Sequence, residues 1–144
     1  MNNAIEIENE VAFTVPHLTP PSGNHYKKPT IYTGKDGYAH RGFKVTPEAK
    51  AFKDAVAIFA RGRTVAPATK KERDQVRYRI GVHVVLGPKA RLDCDNSAKV
   101  AVDALQAAGV IHSDAKVIEC SLTIDRNCRQ NPRTEFFVTR LEAE

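Results

Sequence analysis

The sequence predicts an α+β fold in the order β-α-β-α-β-β, a mixed sheet with helices packed on it. Three observations carry that expectation. Several short segments alternate apolar and polar residues at period two, two others repeat at 3.6, and a central strand–helix–strand run requires a parallel crossover. The 144 residues suit one domain, 1–144, large enough to bury a core without covalent staples.

The elements follow in order. Val11, Phe13 and Val15 alternate with Ala12 and Thr14 as a short strand that Pro16 closes. Pro20-Pro21-Ser22-Gly23-Asn24 is turn chemistry, and with Gly34, Gly37 and Gly42 it predicts a long basic loop at about 16–45. A structureless stretch of that length is unusual in a compact domain unless it is functional or disordered. Thr46-Pro47 opens a helix, with threonine as N-cap and proline at N1. Phe52, Ala55, Val56 and Phe59 form its core face, and Arg61-Gly62 ends it. A polar linker should run from Arg63 to Asp74. Tyr78, Ile80, Val82, Val84 and Leu86 make the clearest strand, with His83 on its solvent side and Gly87-Pro88 at its end.

A second helix is expected from Asn96 to Ala108, capped by Asp95 or Asn96 and stopped at Gly109. Val100, Ala101, Ala104, Leu105 and Ala108 supply its apolar stripe. Two further strands, Lys116 to Ile124 and Glu135 to Leu141, should form an antiparallel hairpin around 127–133.

Charge is unevenly placed. The net charge of +5 resolves into −3 over residues 1–23, +11 over 24–91 and −3 over 92–144. A basic block beside clustered acids suits a polyanion held against a cation. Lys27, Lys28, Lys35, Arg41 and Lys44 alternate with Tyr26, Tyr32, Tyr38 and Phe43, a mixture that suits phosphates and unstacked bases, though it also describes a solvated arm. No apolar run reaches the ~20 residues of a membrane span, so no membrane partner is expected. The start Met1-Asn2-Asn3-Ala4-Ile5-Glu6 lacks the basic, then apolar, pattern of a signal peptide, which points to the cytoplasm. Cys94, Cys120 and Cys128 are odd in number and form no C-x-x-C pair, which argues against a disulfide framework and a structural zinc site.

The chemistry concentrates in Arg91-Leu92-Asp93-Cys94-Asp95-Asn96-Ser97-Ala98-Lys99. In extended chain Asp93 and Asp95 share a face. Two carboxylates ~5 Å apart repel by about 3 kcal/mol at an effective dielectric of 20. Water, a shared proton, Arg91, Lys99 or a divalent cation could offset that, and magnesium favours such hard oxygen ligands. Plainer roles stand beside this one. Asp95 could be only a cap, Asp93 only a turn residue, and Asp95, Lys99 and Asp103 only a surface ion-pair ladder. Asp114 precedes the next strand. In a β-α-β unit it should lie at the opposite end of the sheet from Asp93 and Asp95, unless the pair sits in an extended return segment that reaches across.

Taken together, Pro20-Pro21-Ser22-Gly23-Asn24 with Tyr26, then Arg91-Leu92-Asp93-Cys94-Asp95-Asn96, Lys99, Asp103-Ala104-Leu105, Gly109 and Asp114 resemble the RusA family of Holliday junction resolvases, many of them phage- or prophage-encoded. The likeness runs from about Phe13 to Leu141. It implies an α+β homodimer that binds four-way DNA junctions and cleaves them with Mg²⁺, for which Mn²⁺ is a possible substitute. It further implies Asp93, Asp95 and Asp114 as metal ligands and Lys99 as a catalytic or phosphate-binding residue. Asp103, four residues past Lys99, is placed to orient that amine. Lys27, Lys28, Lys35, Arg41, Lys44, Lys89 and Arg91 are the expected DNA contacts. The chain departs from the family at Ser113-Asp114, where members often carry two adjacent acids, and His112 is read as a bystander. Two rival expectations remain: a DNA-binding accessory module without catalysis, and a nuclease of the same fold that acts on other DNA structures.

Overall fold

A computed structural model describes residues 6–7, 9–21, 27–87, 92, 94–126 and 131–141, the side chains at 6, 7, 27, 28 and 94–96 excepted. The strands are β1 (Glu6–Ile7), β2 (Glu10–Pro16), β3 (Lys27–Thr33), β4 (Ala39–Val45), β5 (Arg63–Thr64), β6 (Arg77–Val85), β7 (Val117–Asp125) and β8 (Arg133–Leu141). The helices are α1 (Pro47–Phe59), α2 (Lys70–Gln75) and α3 (Cys94–Ala107), and a 3₁₀ turn spans Asp114–Lys116. The fold is α+β around a mixed sheet, as expected, and all six anticipated elements are present in order.

The main sheet has the order β2-β8-β6-β7. β6 and β7 run parallel, so the middle strand–helix–strand unit is the expected crossover. The expected hairpin of the last two strands does not form. β8 pairs antiparallel with both β6 and β2, leaving β7 at the edge. Burial explains the choice. Thr134, Phe136 and Val138 on β8 are almost fully buried, as an interior strand requires, whereas most of β7 is exposed.

α1 and α3 pack against each other and cover one face of the sheet. Phe136 stacks on Phe13 at 4.9 Å between centroids and meets Phe52 at 6.3 Å, joining β8, β2 and α1. Among the described residues the other face stays open, with Phe137 half exposed over Gly81. The Thr46 hydroxyl caps α1 by accepting from Ala49 N–H at 3.3 Å. Phe59 does not join the core. The buried line runs Phe52, Val56, Ala60 at a spacing of four, which turns Phe59 outward.

Two more expectations are corrected. The supposed linker 63–74 contains β5, paired in parallel with β1, and α2, whose N-cap Thr69 accepts from Glu72 N–H. The supposed loop 16–45 contains a seven-pair antiparallel hairpin, β3–β4, which among the described residues packs on no other element to a comparable extent. Its turn has local causes. Asp36 accepts from Tyr38 N–H and from His40 Nε2, each at 3.0 Å. Gly37 takes φ +81° there, a conformation glycine adopts without a Cβ penalty. Among the described residues no helix is long and apolar enough to cross a membrane.

Candidate metal and DNA-binding site

α3 organises the site. It begins at Cys94, two residues earlier than the sequence suggested, so Asp95 stands in its first turn rather than before it. Leu92, 8% exposed, anchors the entry, and its carbonyl accepts from Arg126 Nη2 at 3.3 Å. Arg126 directly follows β7, so the start of α3 lies at the C-terminal end of that strand. Asp93, Lys89 and Arg91 lie outside the described residues, as do the side chains of Asp95, Lys27 and Lys28.

Val100, Ala101, Ala104 and Leu105 bury the inner face of α3. Lys99 is exposed, one turn beyond Asp95, and Asp103 is half-buried one turn further. Ser97 is fully buried, and its hydroxyl has no hydrogen-bond partner among the described residues. An orphan hydroxyl of that kind costs roughly 1–3 kcal/mol unless water or a ligand completes it.

The other end of α3 is tightly fastened. Gly109, at φ +79°, ends the helix where the sequence placed the stop. Gly109 N–H donates to Gln106 O and Val110 N–H to Leu105 O, the paired bonds of a Schellman motif. The Thr64 hydroxyl donates to Gly109 O at 2.7 Å, and Val65 N–H to Val110 O at 2.9 Å.

Asp114 follows this corner. It is exposed, and its N–H donates to Gln106 Oε1 at 2.8 Å. Ser113 caps the 3₁₀ turn by accepting from Ala115 N–H at 3.2 Å. His112 is turned away, its Nδ1 2.6 Å from the Tyr78 hydroxyl. Burial, then Arg73 and Lys116, push the His112 pKa down, and burial pushes Tyr78 up. A cavity of about 610 Å³ opens beside this corner, with Arg63, Arg73, Gln106 and His112 in its wall.

The structure therefore places Asp95 and Asp114 toward opposite ends of α3. Eleven residues of helix between Asp95 and Gln106 rise ~16 Å, and Asp114 is tied to the far end. Among the described residues no three acidic, histidine or cysteine side chains form a metal-binding group. The donor chemistry of Asp93, Asp95 and Asp114 suits a hard divalent cation.

The hairpin carries the remaining predicted contacts. Pro29, Ile31, Arg41 and Phe43 share one face, and Tyr32, His40 and Lys44 the other, while Lys35 sits in the turn. Ile31, Tyr32, Tyr38 and Phe43 are between 54% and 74% exposed, beside the basic residues of the hairpin. Tyr32 stacks on His40 at 5.5 Å. The His40 hydrogen bond, then that of Tyr38 N–H, hold the Asp36 carboxyl below its ordinary range. Sequence reading missed Asp36 and the hairpin, although Asp36-Gly37 between β-prone residues is a known turn signal.

Residues 19–139 match the model of the family described as endodeoxyribonuclease RusA, which covers most of the chain. Among curated proteins no significant match is found. The family acts on branched DNA junctions, is implicated in recombination, and its nucleases generally depend on divalent metal. This chain belongs to the RusA endodeoxyribonuclease family.

Proposed function

We propose that the chain is a Mg²⁺-dependent endonuclease that resolves four-way DNA junctions by paired phosphodiester hydrolysis, working as a homodimer of single domains spanning 1–144. The observation that carries this reading is the family match over residues 19–139, which takes in the Asp93-Cys94-Asp95 run, Lys99 and Asp114.

Asp93, Asp95 and Asp114 are the proposed magnesium ligands, and Mn²⁺ is a plausible substitute because both ions accept carboxylate oxygen. These carboxylates would hold the ion, which when bound would supply Lewis acidity toward a phosphoryl oxygen. Lys99, exposed one turn past Asp95, neutralises charge on the scissile phosphate. Asp103 lies one turn further along the helix and holds that amine in place. Arg41, Lys44 and Lys35 on the hairpin, with Lys27, Lys28, Lys89 and Arg91, hold the DNA backbone and fix register without reading sequence. A junction presents two equivalent strands, which a twofold enzyme meets with two equivalent sites.

Asp95→Asn tests the assignment because it removes the charge and keeps the shape. Junction binding should survive in a mobility-shift assay while cleavage falls by at least about 10³-fold, the scale of a lost electrostatic stabiliser. Cleavage at the wild-type rate, or loss of binding in a variant with wild-type circular dichroism, contradicts the role.

A further inference from the structure

The two faces of the β3–β4 hairpin differ in what they already touch. On one face Tyr32 stacks on His40 and lies across Gly42, where an added Cβ would come within 2.9 Å of its ring. On the other face Phe43 stands opposite Pro29, and Arg41 opposite Ile31. Phe43 is 74% exposed and Ile31 73%. Among the described residues Phe43 meets no other ring. Pro29, Ile31, Arg41 and Phe43 line a shallow depression of about 800 Å³. One face of the hairpin is thus closed on itself, and the other is apolar, open and flanked by a cation.

We propose that this open face stacks on bases exposed at the branch point of a four-way junction, with Phe43 as the stacking ring, Ile31 beside it, and Arg41 on the adjoining phosphate. Charge names the occupant. Residues 27–45 hold five Lys or Arg and one acid. That acid, Asp36, is engaged by His40 and by Tyr38 N–H. Such a surface attracts a polyanion and repels a second copy of itself. The flat apolar part of a nucleic acid is the base, and aromatic side chains stack on any base. Spacing agrees. Phe43 and Ile31 are diagonal neighbours across the two strands, ~7–8 Å apart. That is about two layers at the ~3.4 Å rise of a DNA strand, so one base plane fits between them. A base inside a duplex arm is already covered on both sides, whereas a branch interrupts the stack. The inference rests on the junction reading proposed above and adds a source of junction selectivity that phosphate contacts do not supply.

Photochemical cross-linking tests this on the unaltered protein. A synthetic four-way junction carries 5-iodouracil either at the branch point or in the interior of one arm. It is bound in EDTA and irradiated, and the attached peptide is mapped by mass spectrometry. The branch-point probe should attach to Phe43, and the arm-interior probe should not. Equal attachment from both positions, or attachment from the branch point only to residues outside the hairpin, overturns the proposal. Binding curves supply a second measurement. Phe43→Ala should weaken junction binding at least about fivefold, the scale of one lost base stack. It should leave linear-duplex binding unchanged, and also the slope of log affinity against log salt, because no charge is removed. Phe43→Tyr should restore binding, and Tyr32→Ala on the opposite face should change it little. Equal losses on junction and duplex, or a changed salt slope, overturn the proposal. So does a Phe43→Ala chain whose oligomeric state by sedimentation differs from the wild type, which would make this face a contact between proteins. Neither measurement needs cleavage. A chain that binds and cross-links as expected but nicks no junction refutes the proposed function alone, and one that nicks junctions without the Phe43 cross-link refutes only the stacking.

Discussion

Replacing Gly109 with alanine separates the cost of a backbone conformation from the cost of crowding. Gly109 has φ +79° and closes α3. A Cβ built there meets nothing within 4 Å, so sterics with neighbours contribute nothing. What remains is the left-handed conformation, about 1–2 kcal/mol for an L-residue, partly offset by ~0.4–1 kcal/mol from a less flexible unfolded chain. The net is a loss of about 1 kcal/mol. Unfolding entropy of ~2.1 cal/mol/K per residue makes that roughly a 3 °C drop in Tm for a domain of this size. Two other glycines provide controls. Gly62, at φ +75° and equally uncrowded, should lose about as much on the same change. Gly87 is uncrowded without a positive φ, so Gly87→Ala should be neutral or raise Tm slightly. Thermal unfolding of the three variants by circular dichroism reads all of this. If Gly87→Ala is as destabilising as the other two, or Gly109→Ala costs nothing, the reasoning about backbone conformation is refuted.

Other outcomes follow from the same geometry. Arg41→Ala and Lys44→Ala should each weaken junction binding and lower the slope of log affinity against log salt by about 1, because each removes one phosphate contact. Mobility-shift titrations over a range of NaCl concentrations check this, and an unchanged slope removes that residue from the DNA interface. Tyr78 adds a pH dependence. Burial raises its phenol pKa above the ordinary value near 10, so its stabilising effect is complete below pH 10 and is lost as pH climbs through the raised value. Tyr78→Phe should be less stable at pH 8, where the 2.6 Å bond to His112 is missing, yet should lose less than the wild type between pH 9.5 and 11 in urea melts. Parallel losses over that range would show that another group dominates.

Local rules served well where local forces decide. β6 reads off its alternation because Tyr78, Ile80, Val82 and Val84 all face the core. The start of α1 and the end of α3 follow from Thr46, Pro47 and Gly109, each with a backbone reason to be there. β8 was legible as a strand but not in its place. Insertion between β2 and β6 depends on contacts far apart in sequence, such as Phe136 with Phe13 and Phe52, which no period in 133–141 reveals. The hairpin was hidden because glycines and Pro29 interrupt its alternation, while its turn depends on a single side chain, Asp36. In the candidate site, chain order already implied that Asp114 and the Asp93–Asp95 pair sit at opposite ends of a β-α-β unit. The bond from Asp114 N–H to Gln106 places Asp114 at the far end of α3.

The central claim is tested most directly by incubating the purified chain with a labelled synthetic four-way junction and with a matched linear duplex, in Mg²⁺ and in EDTA. The account predicts paired, symmetrical nicks in the junction alone, abolished by EDTA. Binding without cutting in either Mg²⁺ or Mn²⁺ contradicts it and leaves a DNA-binding module, whereas equal cutting of both substrates contradicts the junction selectivity.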